Sequence, residues 1–80
     1  MTTLKSIYKK LDSIYDELEA LIEEMEEKQA AIEDKAAEHD RDLTDREQER
    51  YDELEEKIDA IRECQDNVSY AKDNIEEYSE

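Results

Sequence analysis

The sequence predicts an all-α fold: an antiparallel two-helix coiled-coil hairpin, itself a candidate for dimerising into a four-helix bundle. Three observations carry this expectation. The 80 residues include no glycine and no proline, which sheets, barrels and glycine-cradled phosphate sites need for positive φ and tight turns. Apolar residues recur at alternating steps of three and four, the period of a coiled-coil seam. A capped helix start falls near the middle of the chain.

The first helix is expected over about 3–38. Its apolar positions are Leu4, Ile7, Leu11, Ile14, Leu18, Leu21, Met25 and Ile32. With Leu4 as heptad position a, the d series is Ile7, Ile14, Leu21, then Lys28 and Lys35, so the seam weakens toward residue 40. Tyr8, Tyr15 and Ile22 widen the stripe to about three positions in seven, a width that suits a bundle better than a lone pair. These three are the candidate self-association residues, with a homodimer as the expected product.

The connection is expected at about 39–44 and is too short for anything but antiparallel neighbours. The second helix, about 45–79, opens on Thr44-x-x-Glu47, a capping box with Asp45 and Glu47 in the first turn where the macrodipole favours acids. Its stripe reads Tyr51, Leu54, Ile58, Ile61, Cys64, Val68, Ala71, Ile75 and Tyr78. The repeated step of three around Ile61 predicts a stammer, a local overwinding, with Cys64 packed in the seam.

A hairpin folded near residue 41 pairs residues whose numbers add to about 82: Ile7 with Ile75, Ile14 with Val68, Leu18 with Cys64. The same register sets Lys5 against Glu77, Lys9 against Asp73 and Lys35 against Glu47, and puts Lys57 near Glu24 and Glu26. Residues 1–80 then form one domain, a rod on the order of 50 Å long.

The chain carries 27 acids against 11 lysines and arginines, a formal charge of −16. Acid–acid pairs at i,i+4 outnumber opposite-charge pairs by two to one, although each like pair costs a few tenths of a kcal/mol. Residues 16–34 and 51–80 each sum to −8, so the hairpin lays two acidic blocks side by side. Their charge spacing approaches that of one DNA strand, about one per 3.4 Å. This predicts a carboxylate-rich rod that occupies a basic, nucleic-acid-binding surface of a partner protein, as DNA-mimic inhibitors of phages and mobile elements do. The candidate contacts are Glu19, Glu23, Glu24, Glu26, Glu27, Glu55, Glu56, Asp59, Glu63 and Asp66, with Tyr70 as an exposed contact aromatic. The alternative is a structural or scaffolding coiled coil that assembles through its apolar face. Direct binding of nucleic acid is disfavoured by the field.

No catalytic constellation emerges. His39, the only histidine, lacks the Glu-x-x-His spacing of metal-binding bundles, and is expected to be structural. A calcium loop starting at Asp40 fails because Asp45 replaces the glycine and Tyr51 the bidentate glutamate. Cys64 has no base within reach. The expectation is a protein that is not an enzyme, with no cofactor, no metal and no membrane span, placed in the cytoplasm.

The run from Arg41 to Ile61 resembles the helical delta segment of tailed-phage major capsid proteins, an internal scaffold during shell assembly. Arg41, Leu43, Thr44, Tyr51, Asp52, Leu54 and Ile58 carry the likeness, over about a quarter of the chain. The resemblance implies a phage-like origin, hence the cytoplasm of a bacterial host, and a scaffolding hairpin.

Overall fold

The computed structural model describes residues 3–78. It consists of two helices, α1 (Leu4–Glu38) and α2 (Asp45–Tyr78), packed as an antiparallel hairpin. The rod measures 59 × 17 × 15 Å.

Each helix start is closed by its own side chains. Thr3 caps α1, accepting from the Ser6 N–H at 3.1 Å while its own N–H donates to Ser6 Oγ at 3.2 Å. At α2 the Thr44 hydroxyl accepts from the Glu47 N–H at 3.1 Å, and the Thr44 N–H donates to Glu47 Oε1 at 3.0 Å. Two of the four orphan N–H groups at that end are thereby satisfied.

The exit of α1 is a Schellman turn made without glycine. His39 is the C-cap, and the N–H groups of Asp40 and Arg41 donate back to the carbonyls of Ala37 and Ala36, both at 3.1 Å. This geometry needs a left-handed residue after the cap, and Asp40 supplies it with φ 46°. Aspartate tolerates that region better than most residues with a Cβ.

The seam keeps the expected register but is rotated about the α1 axis, and along α2 it departs from the expected stripe only beyond Ile61. From α1 it takes Tyr8, Leu11, Tyr15, Leu18, Ile22, Met25, Gln29, Ile32 and Ala36; from α2, Tyr51, Leu54, Ile58, Ile61, Gln65, Val68, Lys72 and Ile75. Ile22 and Ile58 are its most enclosed members, each 2% exposed. Ile7, Ile14 and Leu21, expected in the seam, lie outside it on the surface. The leucine series of α1 is flanked by two apolar stripes, and the seam follows the one that continues inward-compatible. On that side the later positions are Gln29 and Ala36; on the other they are Lys28 and Lys35, whose charges are costly to bury.

In α2 the difference begins after Ile61, where Gln65 and Lys72 enter the seam. Its steps from Tyr51 run 3, 4, 3, 4, 3, 4, 3 without interruption once Gln65 and Lys72 are read as seam residues, so the predicted stammer is absent. Cys64 is exposed and does not face Leu18 as a packing residue. Among the described residues the ion pairs are Arg41–Glu47, Arg62–Glu26 and Lys72–Asp12. None of the sequence-predicted pairs is among them.

The enclosed core is small. Its buried apolar members are Ile22, Ala36, Leu54 and Ile58. The accessible surface is 6389 Å², against roughly 5,000 Å² expected of a compact monomer of this mass.

Candidate functional site

Two polar devices hold the helices in register, and both are built the same way. Gln29 is buried, and its amide donates to the Tyr51 carbonyl at 3.3 Å and to Glu55 Oε2 at 2.9 Å. Gln65, equally buried, donates to the Tyr15 carbonyl at 3.4 Å and to Glu19 Oε2 at 2.8 Å. Each amide thus reaches a tyrosine carbonyl on the facing helix and the glutamate one turn further along it.

The likeness is written in the chain. Residues 15–19 and 51–55 both read Tyr-Asp-Glu-Leu-Glu, and Gln29 and Gln65 follow at equal distances. Ile22 matches Ile58 and Glu27 matches Glu63 in the same alignment. The hairpin therefore has a pseudo-two-fold axis crossing the rod near Ile22 and Ile58. This repeat is the signal by which Gln29 and Gln65 could have been found from sequence.

Near the open end a third device closes the seam. Lys72 Nζ lies 2.7 Å from Asp12 Oδ1, 5.1 Å from the centre of the Tyr8 ring and 5.7 Å from that of Tyr15. The Asp12 hydrogen bond holds the Lys72 ammonium above its ordinary pKa. The Tyr8 hydroxyl donates to Glu76 at 2.7 Å, which pushes the phenol up. Tyr51 is likewise raised, chiefly by hydrogen bonding with Glu33. At the tip, Arg41 grips Glu47 through two nitrogens at 2.6 and 3.3 Å. That grip, helped by the Thr44 N–H, lowers the Glu47 carboxyl to about 2.

The cross-seam contacts of Asp12, Glu19, Glu26, Glu33, Glu55 and Glu76 all lie along one flank of the rod. Helical periodicity adds to this flank Asp16 and Glu23 from α1 and an aspartate at every seventh residue of α2: Asp45, Asp52, Asp59, Asp66 and Asp73. Neighbouring aspartates in that column rise by about 10.5 Å. Among the described residues the flank holds thirteen carboxylates against three cations outside the seam, Lys5, Lys9 and Arg62.

The opposite flank is of different character. It is apolar toward the open end, where Ile7, Ile14 and Leu21 from α1 run beside Cys64, Ala71 and Tyr78 from α2. Leu4, Ile7, Ile14 and Leu21 are between 37% and 44% exposed there. Toward the tip the same flank becomes basic, with Lys28, Lys35 and Arg50 around an open surface hollow and Lys57 one step nearer the centre. The internal repeat is kept on the acidic flank at Asp16 and Asp52, Glu19 and Glu55, and Glu23 and Asp59, whereas on this flank Ile14 corresponds to Arg50 and Leu21 to Lys57.

The predicted contact residues are divided by this geometry. Glu19, Glu23, Glu26, Glu55, Asp59 and Asp66 belong to the acidic flank. Glu27, Glu56 and Glu63 lie on the backs of the helices, and Glu24 lies toward the apolar and basic flank. Glu19 and Glu55 also serve the glutamine devices, and Glu26 is 3.6 Å from Arg62. Sequence reasoning missed Asp12, Asp16, Glu33, Asp45, Asp52, Asp73 and Glu76, whose heptad spacing is their signal. Tyr70 is exposed on the back of α2. Tyr8 and Tyr15 are half-buried and Ile22 is buried inside the hairpin's own seam, so the surface left for self-association is that of Ile7, Ile14 and Leu21 instead.

Among the described residues, no group of histidine, cysteine or carboxylate side chains is arranged to hold a metal ion. His39 is exposed at the α1 C-cap. No described helix is long and apolar enough to cross a membrane. No protein-family model, curated protein or solved structure matches the chain.

Proposed function

We propose that the protein is a non-catalytic acidic binding module whose carboxylate flank occupies a basic, nucleic-acid-binding surface of a partner protein, in the manner of a DNA-mimic inhibitor. The observation that carries this reading is the segregation of charge: thirteen carboxylates share one flank, whereas the other flank holds more cations than acids. A surface acidic only for solubility has no need to sort its charges. Sixteen net charges along 59 Å amount to one per about 3.7 Å, near the spacing along one DNA strand.

The test is capture of partners from a bacterial lysate by two variants of equal net charge. Changing Asp52, Asp59 and Asp66 to Asn neutralises the acidic column; changing Glu27, Glu56 and Glu63 to Gln neutralises the helix backs. The expected result is that nucleic-acid-binding proteins are recovered at low salt, released by duplex DNA, and lost with the column variant alone. Equal loss with both variants would reduce the acidity to a net-charge effect and overturn the reading.

A second reading, a structural or scaffolding coil that assembles through its apolar surface, is favoured by the exposed row Leu4, Ile7, Ile14 and Leu21. The likeness of residues 41–61 to a capsid delta segment agrees with it. In this reading the homodimer forms through that row, and the acidic flank stays free.

A further inference from the structure

We infer that the apolar half of the second flank is the contact surface of a two-fold dimer, in which two hairpins run antiparallel and overlap only at their open ends. The inference rests on the reading of that flank as an assembly surface, and it identifies the occupant as a second copy in one particular arrangement.

Three arrangements lay two copies flank to flank, and charge separates them. Parallel rods with full overlap cover apolar on apolar, but set Lys28, Lys35, Arg50 and Lys57 against their own copies. Antiparallel rods with full overlap lay those cations on the partner's Ile7, Ile14 and Leu21, burying charge against hydrocarbon. Antiparallel rods that overlap only at the open ends bury the apolar row on itself and leave Lys28, Lys35 and Arg50 in water.

The sequence fits the third arrangement position by position. A two-fold axis at Ile14 sets Ile14 against its own copy and Ile7 against Leu21. On α2 the same axis sets Cys64 against Ala71, and Tyr78 against Lys57. That last pairing brings a cation to the carboxyl end of α2, whose last turn contains Glu76 and Glu77 and no base. A cation there complements both the acids and the macrodipole, and Tyr78, 77% exposed in the single hairpin, gains a ring-face partner.

The overlap is about 36 Å of the 59 Å rod, or about 24 residues at the helical rise. A strip of that length and 17 Å width covers roughly 600 Å² per copy, about 1,200 Å² in all, the lower edge of specific interfaces. The dimer is therefore concentration-dependent. Added salt strengthens it by screening the −16 charge on each copy, the opposite of the salt response expected for binding of a basic partner.

The experiment is small-angle scattering and sedimentation of the full chain in 0.5 M NaCl, with disulfide trapping of Ile14→Cys in a Cys64→Ser background. The expected result is a dimer with a maximum dimension of about 80 Å, trapped by oxidation through position 14, and weakened at least tenfold by Ile14→Lys while helicity is kept. A dimer of about 60 Å, or one that position 14 fails to trap, overturns this arrangement and leaves the assembly reading standing. A monomer at millimolar concentration overturns both. So does adsorption to phosphatidylserine vesicles by a chain that stays monomeric, since the occupant of the row would then be a membrane surface.

Discussion

Asp40 holds the one positive φ found in the described backbone, 46°, in a chain without glycine. Its Cβ is strained there by roughly 1–2 kcal/mol relative to glycine, and its carboxylate sits at a helix C-terminus, where negative charge is unfavourable. Asp40→Gly is expected to raise stability by about 1 kcal/mol, read from urea unfolding followed by circular dichroism. Glu47, in the first turn of α2 at the same tip, gives a pH signature. Its carboxyl lies at about 2 instead of the ordinary 4.5, so its contribution is complete above pH 4.5 and lost as pH falls toward 2. The gap in melting midpoint between wild type and Glu47→Gln is expected to narrow across that window in parallel thermal melts. Gln29 and Gln65 act differently again, as buried polar groups that fix register at some cost in stability. Changing both to Leu is expected to raise the melting midpoint while splitting amide resonances into more than one register in the NMR spectrum.

Within each helix, the choice between two apolar stripes is the decisive event. Ile22 and Ile14 have the same side chain eight residues apart, yet one is enclosed and the other lies on the surface. Ile22→Ala is expected to cost about 3 kcal/mol, as cavity-forming core truncations do, and Ile14→Ala less than about 1; chemical denaturation at low protein concentration measures both. The fold class, the register and the Thr44 cap were legible in the sequence. Register follows from where the chain turns, and Asp40 to Thr44 mark the turn plainly. The rotation of α1 was not legible from its own residues, because its leucines have apolar neighbours on both sides. Local hydrophobicity cannot rank Ile14 against Ile22; the difference arises further along, where one stripe runs into Lys28 and the other into Gln29. A stripe traced through apolar residues alone stops before that continuation, and passes over the seam roles of Gln65 and Lys72. The acidic contacts were legible only in part for the same reason, since the rotated seam of α1 moves Glu24 and Glu27 off the flank and brings Asp12 and Asp16 onto it.

As a whole the molecule is a thin rod whose two long sides differ in kind. Its surface exceeds that of a compact monomer of this mass, and among the described residues its enclosed core is four apolar side chains. Like-charge columns along one side oppose the compact state. Helicity by circular dichroism is therefore expected to rise as salt is added and the columns are screened; an unchanged signal would show that repulsion among them does not limit stability. Both proposed interactions coexist without conflict, because the acidic flank and the apolar row lie on opposite sides of the seam.

The pseudo-two-fold repeat has a consequence for what keeps the chain a hairpin. Because Tyr15, Glu19 and Gln29 on α1 match Tyr51, Glu55 and Gln65 on α2, the same glutamine devices can form with a second copy as within one hairpin. The seam cannot distinguish folding back from folding with a neighbour. That choice falls to the six residues between the helices: a strained Asp40, the Arg41 grip on Glu47 and the Thr44 cap. Straightened, the same segment turns two hairpins into one longer exchanged coil, with every seam contact kept.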